Sequence, residues 1–193
     1  MGRVWMVVAV QFEQFTKYWK SLQAAAPGDI PDWSQFSPGK ITSLLPYVYI
    51  LEHRSPEEMH VRLIGTSLDE VSGVAITGMN YLDVCPPQDA PVYREVTKHV
   101  FARPCASLLV RDVTFESGKN YTLSSLGFPM NTADGKPQIT LGLMLPSRRF
   151  KSDDSNNGGV ANSVLRSLTY IDIGFGIPDI QDAEHEAIKA VLT

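Results

Sequence analysis

Apolar residues recur at three- and four-residue intervals through Phe12, Phe15, Trp19, Leu22 and Ala26, and Pro27-Gly28 closes the run. That spacing predicts an amphipathic helix with one face to bury. The stretch before it, "MGRVWMVVAV", has one basic residue and a short apolar run, too short to span a bilayer, and no cleavage pattern follows it. It is expected as a strand added to a partner or as a loose end. After the helix a proline-punctuated connector carries Trp33 and Phe36, with a helical turn near Ile41 to Leu45.

The period then changes to two. Tyr47 to Glu52 predicts a strand, His53 to Glu58 a turn, and Met59 to Ile64 a second strand in which Met59, Val61 and Leu63 alternate with His60 and Arg62. Gly65 ends that strand. Thr66 or Ser67 caps a short helix with Leu68 and Val71 inward and Gly73 as its stop, and Thr77-Gly78 makes a further turn. "MNYLDVCPP" predicts a brief helix or loop, and Asp89 to Arg103 a longer helix with an Asp cap, an early proline and a stripe of Val92, Val96 and Val100. Three strands follow, "CASLLVRDVTFE", "NYTLSSLGFPM" and "PQITLGLML", joined by the short turns "SGK" and "TADGK" as a meander. In the last, Ile139, Leu141, Leu143 and Leu145 share one face. Ser147 to Ser163 is polar and reads as a linker, and Gln181 to Leu192 predicts a closing helix.

This order is the α+β solution: an antiparallel sheet of five strands bent around helices on one side, leaving a concave interior. The expected organisation is an N-terminal segment and helix over 1–26, the α+β domain over 27–146, and a linker with a C-terminal extension over 147–193. A chain of 193 residues is long enough for one such core.

Composition narrows the function. With 44% hydrophobic and 20% charged residues and a net charge of −4, the chain has no basic stripe for nucleic acid and no membrane span. Its two cysteines, Cys85 and Cys105, match no metal or redox spacing, which points to a cytoplasmic setting with free thiols. "GKIT" lacks the glycine that opens a phosphate-binding loop, and "GFG" lacks the third glycine of a dinucleotide fingerprint. There is no HExxH or GxSxG, so an enzyme of unknown reaction ranks last among the readings.

Tyr18-Trp19, the segment Pro38 to Pro46 ("PGKITSLLP"), Arg62 to Thr66 ("RLIGT") and Gly73 to Gly78 ("GVAITG") together resemble the ordered motifs of a poorly characterised family of bacterial single-domain PAS-like proteins. The resemblance covers residues 11 to 146, with an echo at Tyr170 to Pro178. It implies a five-stranded PAS-like fold, no catalysis, a small molecule held in an internal cavity or contacts with a separate signalling protein or both, and often a homodimer; the aromatic stripe of the N-terminal helix, wider than one sheet edge must cover, is the expected pairing face. Neither cysteine sits in the Asn-Cys-Arg-Phe setting of flavin photosensors of this fold. No cofactor is expected, and haem held by His99 is the alternative.

Candidate ligand-binding residues follow. Arg62 and Arg111 are charges inside strands; each is either a surface group or a buried cation that needs an anion, from Asp112 or from a ligand carboxylate. Tyr81 and Tyr93 fall on the expected helical wall, where they offer hydroxyls or simply pack. His99 projects on helical spacing toward the apolar side, as a packed residue or a ligand contact.

Overall fold

The computed structural model of the protein describes residues 2–25, 29–73, 75–147 and 157–179. The first helix, α1, spans Gly2–Gln23. It takes in the apolar run that was expected as a strand or loose end, because lengthening an existing helix gains one backbone hydrogen bond per residue fixed, whereas a lone strand needs a partner. Three short 3₁₀ turns, Trp33–Gln35, Pro38–Lys40 and Leu45–Tyr47, carry the connector; Asp32 and Gln35 form a capping box around the first.

Strands β1 (Val48–Ser55) and β2 (Glu58–Ile64) form a hairpin. Helices α2 (Thr66–Ser72), α3 (Tyr81–Val84) and α4 (Ala90–Ala102) follow. The meander is β3 (Ala106–Phe115), β4 (Asn120–Asn131) and β5 (Pro137–Pro146), and a last strand, β6, runs Val160–Ile171. All pair antiparallel in one sheet of order β2-β1-β5-β4-β3-β6.

The sheet therefore has six strands, not five. The sixth comes from the C-terminal extension, and part of the expected linker is structured: Val160 to Ser163 belong to β6, and buried Asn157 donates from its amide nitrogen to the Val71 carbonyl at 3.3 Å. Residues 148–156 and the expected closing helix lie outside the described residues.

Both faces of the sheet are covered. On one, Ile139, Leu141, Leu143 and Leu145 meet Phe15, Trp19 and Leu22 of α1, with Ile30, Ile41 and Leu44 of the connector. Trp19 stacks on Phe128 at 4.9 Å between ring centroids, and its indole N–H donates to the Pro129 carbonyl at 3.2 Å. The aromatic stripe expected to pair with a second copy is thus spent inside the chain. The other face carries Leu51, Met59, Val61, Leu109 and Val113, roofed by α2, α3 and α4. No described helix is long and apolar enough to cross a membrane.

Candidate ligand cavity

Between this second face and its helical roof lies a cavity of about 230 Å³. Strand alternation supplies its floor. β1 contributes Tyr49, Leu51 and His53, and β3 contributes Ser107, Leu109, Arg111 and Val113. β2 adds Met59 and Val61, then slips phase so that Ile64 rather than Leu63 faces the cavity, while Leu63 packs on the α1 side. From α4 come Tyr93, Val96, Thr97 and Val100, positions i, i+3, i+4 and i+7 of one helical face. β6 closes one side with Val160 and Ser163.

Two strand glycines make the floor possible. Gly127 and Gly142 are register partners, and Gly142 also pairs with Tyr49. The Tyr49 ring occupies the space a Cβ at Gly142 would take, and its hydroxyl hydrogen-bonds with Ser125 Oγ at 2.8 Å. Burial pushes the Tyr49 phenol up to about 12.

The wall holds a buried ion pair. Arg111, 6% exposed, donates from Nη1 to Oδ2 of Asp89, 2% exposed, at 2.5 Å. The guanidinium also lies over the Tyr93 ring, 4.3 Å from its centroid. Burial works against the arginine's charge, but Tyr93, Asp89, Tyr81 and Cys85 outweigh it and hold its pKa above the ordinary value. The Tyr81 and Tyr93 hydroxyls lie 3.1 Å apart, and burial raises both phenols. These groups therefore meet a ligand as one cation, one carboxylate and neutral phenols.

Three of the five residues singled out from sequence, Tyr81, Tyr93 and Arg111, come together here. Arg62 does not: it is exposed, on the strand face away from Val61, and stacks over Trp33 at 5.3 Å. Asp112 is not Arg111's counter-ion either, since its carboxylate accepts from Arg166 and Thr122. His99 is buried but lies outside the cavity. Its Nε2 is 2.9 Å from Glu95 Oε1 and its ring meets Tyr170 of β6 edge-on, so the apolar side it was expected to face is occupied by a strand.

Sequence reasoning missed Asp89, His53, Tyr49 and Ser163. Asp89 was expected as a helix cap, yet its side chain makes no capping bond and turns to Arg111. His53 was placed in a turn, but β1 runs on to Ser55 and puts it in the cavity wall. Its Nε2 bonds Thr140 Oγ1 at 2.9 Å and its Nδ1 reaches Thr97 Oγ1 at 3.4 Å. Burial lowers its pKa to about 3, which keeps the imidazole neutral.

Haem does not fit this arrangement. Both nitrogens of the one histidine in the wall are engaged by threonines, His99 points elsewhere, and about 230 Å³ falls short of the roughly 300–1,000 Å³ typical of drug-sized pockets. Cys85 lines the cavity, but burial and then Asp89 push its thiol up to about 11, so it is no ready nucleophile. Among the described residues no cluster of three or more His, Cys, Asp or Glu side chains could hold a metal.

The sequence profile described as PAS domain matches residues 8–145. The chain belongs to the PAS domain family. Its α+β sheet with a helical roof is the PAS-type fold, and β6 is an addition beyond the matched residues. No curated protein sequence matches the chain. Among solved structures it is similar to a light-oxygen-voltage domain studied with a flavin analogue, at 12% identity and TM-score 0.43 over 60% of this chain and 84% of that one. It is also similar to VqmA bound to DPO, at 14% identity and TM-score 0.44 over 61% of this chain and 59% of that one. A fungal light-oxygen-voltage photoreceptor matches at 15% identity and TM-score 0.40 over 73% of this chain and 90% of that one.

Proposed function

We propose that this PAS domain is a non-enzymatic sensory module that holds a compact small molecule in the cavity between the sheet and α2–α4, and passes its occupancy to a separate protein. The carrying observation is the Arg111–Asp89 pair set into the wall of an otherwise largely apolar cavity. Burying two charges is costly, and a packed apolar pair would serve a purely structural wall as well or better. A charged pair in a concave, mostly apolar site fits ligand orientation. The volume favours a compact molecule over a flavin. Because Val160 and Ser163 of β6 form part of the wall, occupancy acts on an edge strand, from which a change of docking can be read by a partner.

Native mass spectrometry of the gently purified protein tests this reading, alongside Val96→Phe, which places a ring in the cavity from α4. The expected result is a small adduct on the wild-type protein that denaturation releases and the folded variant lacks. An adduct retained equally by the variant, or no adduct together with no stabilisation by any compound in a small-fragment screen, would overturn it.

A further inference from the structure

The polar end of the cavity carries information about what it binds, on the reading that the cavity is a ligand site. Arg111 Nε and Nη2, Asp89 Oδ1 and Ser163 Oγ are buried with no hydrogen-bond partner among the described residues, and all three side chains line the cavity. They lie close together. Arg111 bonds Asp89, and Ser163 pairs in register with Val113, two residues along β3 on the side that Arg111 faces. The carbonyl of Ser163 also accepts from Gln88 Nε2 at 3.5 Å, beside Asp89. Buried donors and acceptors left unpaired are costly, so this corner asks for a molecule that supplies both.

Charge decides the class. Asp89 already neutralises Arg111, while His53, Cys85 and the tyrosines are uncharged. An anionic ligand would meet the Asp89 carboxylate, and a cationic one the guanidinium, with no spare counter-charge for either. A neutral group with an acceptor for the arginine N–H donors and an adjacent N–H or O–H for the carboxylate satisfies both at no net charge. Away from this corner Leu51, Met59, Val61, Ile64, Leu68 and Val71 give a mainly apolar wall, and His53, Thr97 and Thr140 there hydrogen-bond one another.

We infer that the cavity takes a compact, neutral, mainly apolar molecule whose polar end places a carbonyl-type acceptor beside an N–H or O–H donor, as an amide or lactam does, seated on Arg111 and Asp89.

Four monosubstituted benzenes test this by titration calorimetry on the full chain: benzamide, benzoate, benzylammonium and toluene. Benzamide is expected to bind at least tenfold tighter than the other three. Removing both charges together, as Arg111→Met with Asp89→Leu, avoids stranding a lone buried ion; that variant is expected to keep toluene binding and lose the benzamide preference. Toluene equal to benzamide on the wild-type protein overturns the ligand class while leaving the cavity as a binding site. Benzoate or benzylammonium binding tightest overturns the charge argument. If none of the four binds, both the class and the underlying cavity reading fail.

Discussion

The ring of Tyr49 lies across Gly142, its register partner on β5, in the volume that any side chain there would fill. Gly142→Ala is therefore expected to displace the ring, break its bond to Ser125 and cost about 1–3 kcal/mol by overpacking. Combining it with Tyr49→Ser should recover part of the loss, measured by urea unfolding. A Gly142→Ala protein as stable as wild type would contradict the packing.

Two other glycines are needed for different reasons. Gly65 has an ordinary φ of −66°, but a Cβ there would overlap the carbonyl oxygens of Leu45 and Pro46. Gly78 has φ +86° and open space around it. Asparagine tolerates the left-handed region better than other side chains. Gly78→Asn should thus be milder than Gly78→Ala, which should cost about 1–2 kcal/mol. At Gly65 both substitutions should be severe, with alanine the less so. Equal rank orders at the two sites in thermal melts would refute the distinction.

Breaking the buried pair one side at a time should cost far more than removing it. Asp89→Leu or Arg111→Met alone is expected to destabilise by about 3–5 kcal/mol, because the survivor is a lone buried charge, whereas the double replacement should cost much less than the sum. Additive single effects in a double-mutant cycle would show that Arg111 and Asp89 are not coupled.

His53 predicts a pH dependence. Its folded pKa, lowered to about 3 by burial, lies below the ordinary 6.5, so below the latter the unfolded chain binds the extra proton. Stability is full above pH 6.5 and falls as the pH drops toward 3, by at most about 1.4 kcal/mol per unit from this residue. His53→Gln should flatten the loss between pH 6.5 and 5, where carboxylates contribute little. An unchanged slope in denaturation series at those pH values would rule out a buried neutral His53.

What the sequence made legible was whatever a local period encodes. The alternation of Ile139, Leu141, Leu143 and Leu145 is plain because α1 buries that whole face, and the valine stripe of α4 is plain because it meets the sheet. β6 escaped because, as an edge strand, it buries little beyond Ser163 and Leu165, so its polar outer positions read as linker. The same omission misplaced His99, whose apolar side exists but belongs to β6. Asp89 and Arg111 are 22 residues apart, and nothing local pairs an apparent helix cap with a strand arginine. His53 was lost because the polar run His53 to Ser55 reads as part of the turn, whereas the strand runs on to Ser55 and the turn is only Pro56 and Glu57.

The claim that a compact neutral molecule occupies the roofed face of the sheet is tested most directly by methyl NMR of the isotopically labelled protein during a benzamide titration. Leu51, Met59, Val61, Leu109 and Val113 line the cavity, while Ile139, Leu141, Leu143 and Leu145 lie on the opposite face under α1. Saturable shifts confined to the first group are expected, accompanied by a shift of the Arg111 Nε–H resonance. Shifts spread equally over both faces, or a silent first group, would contradict the claim.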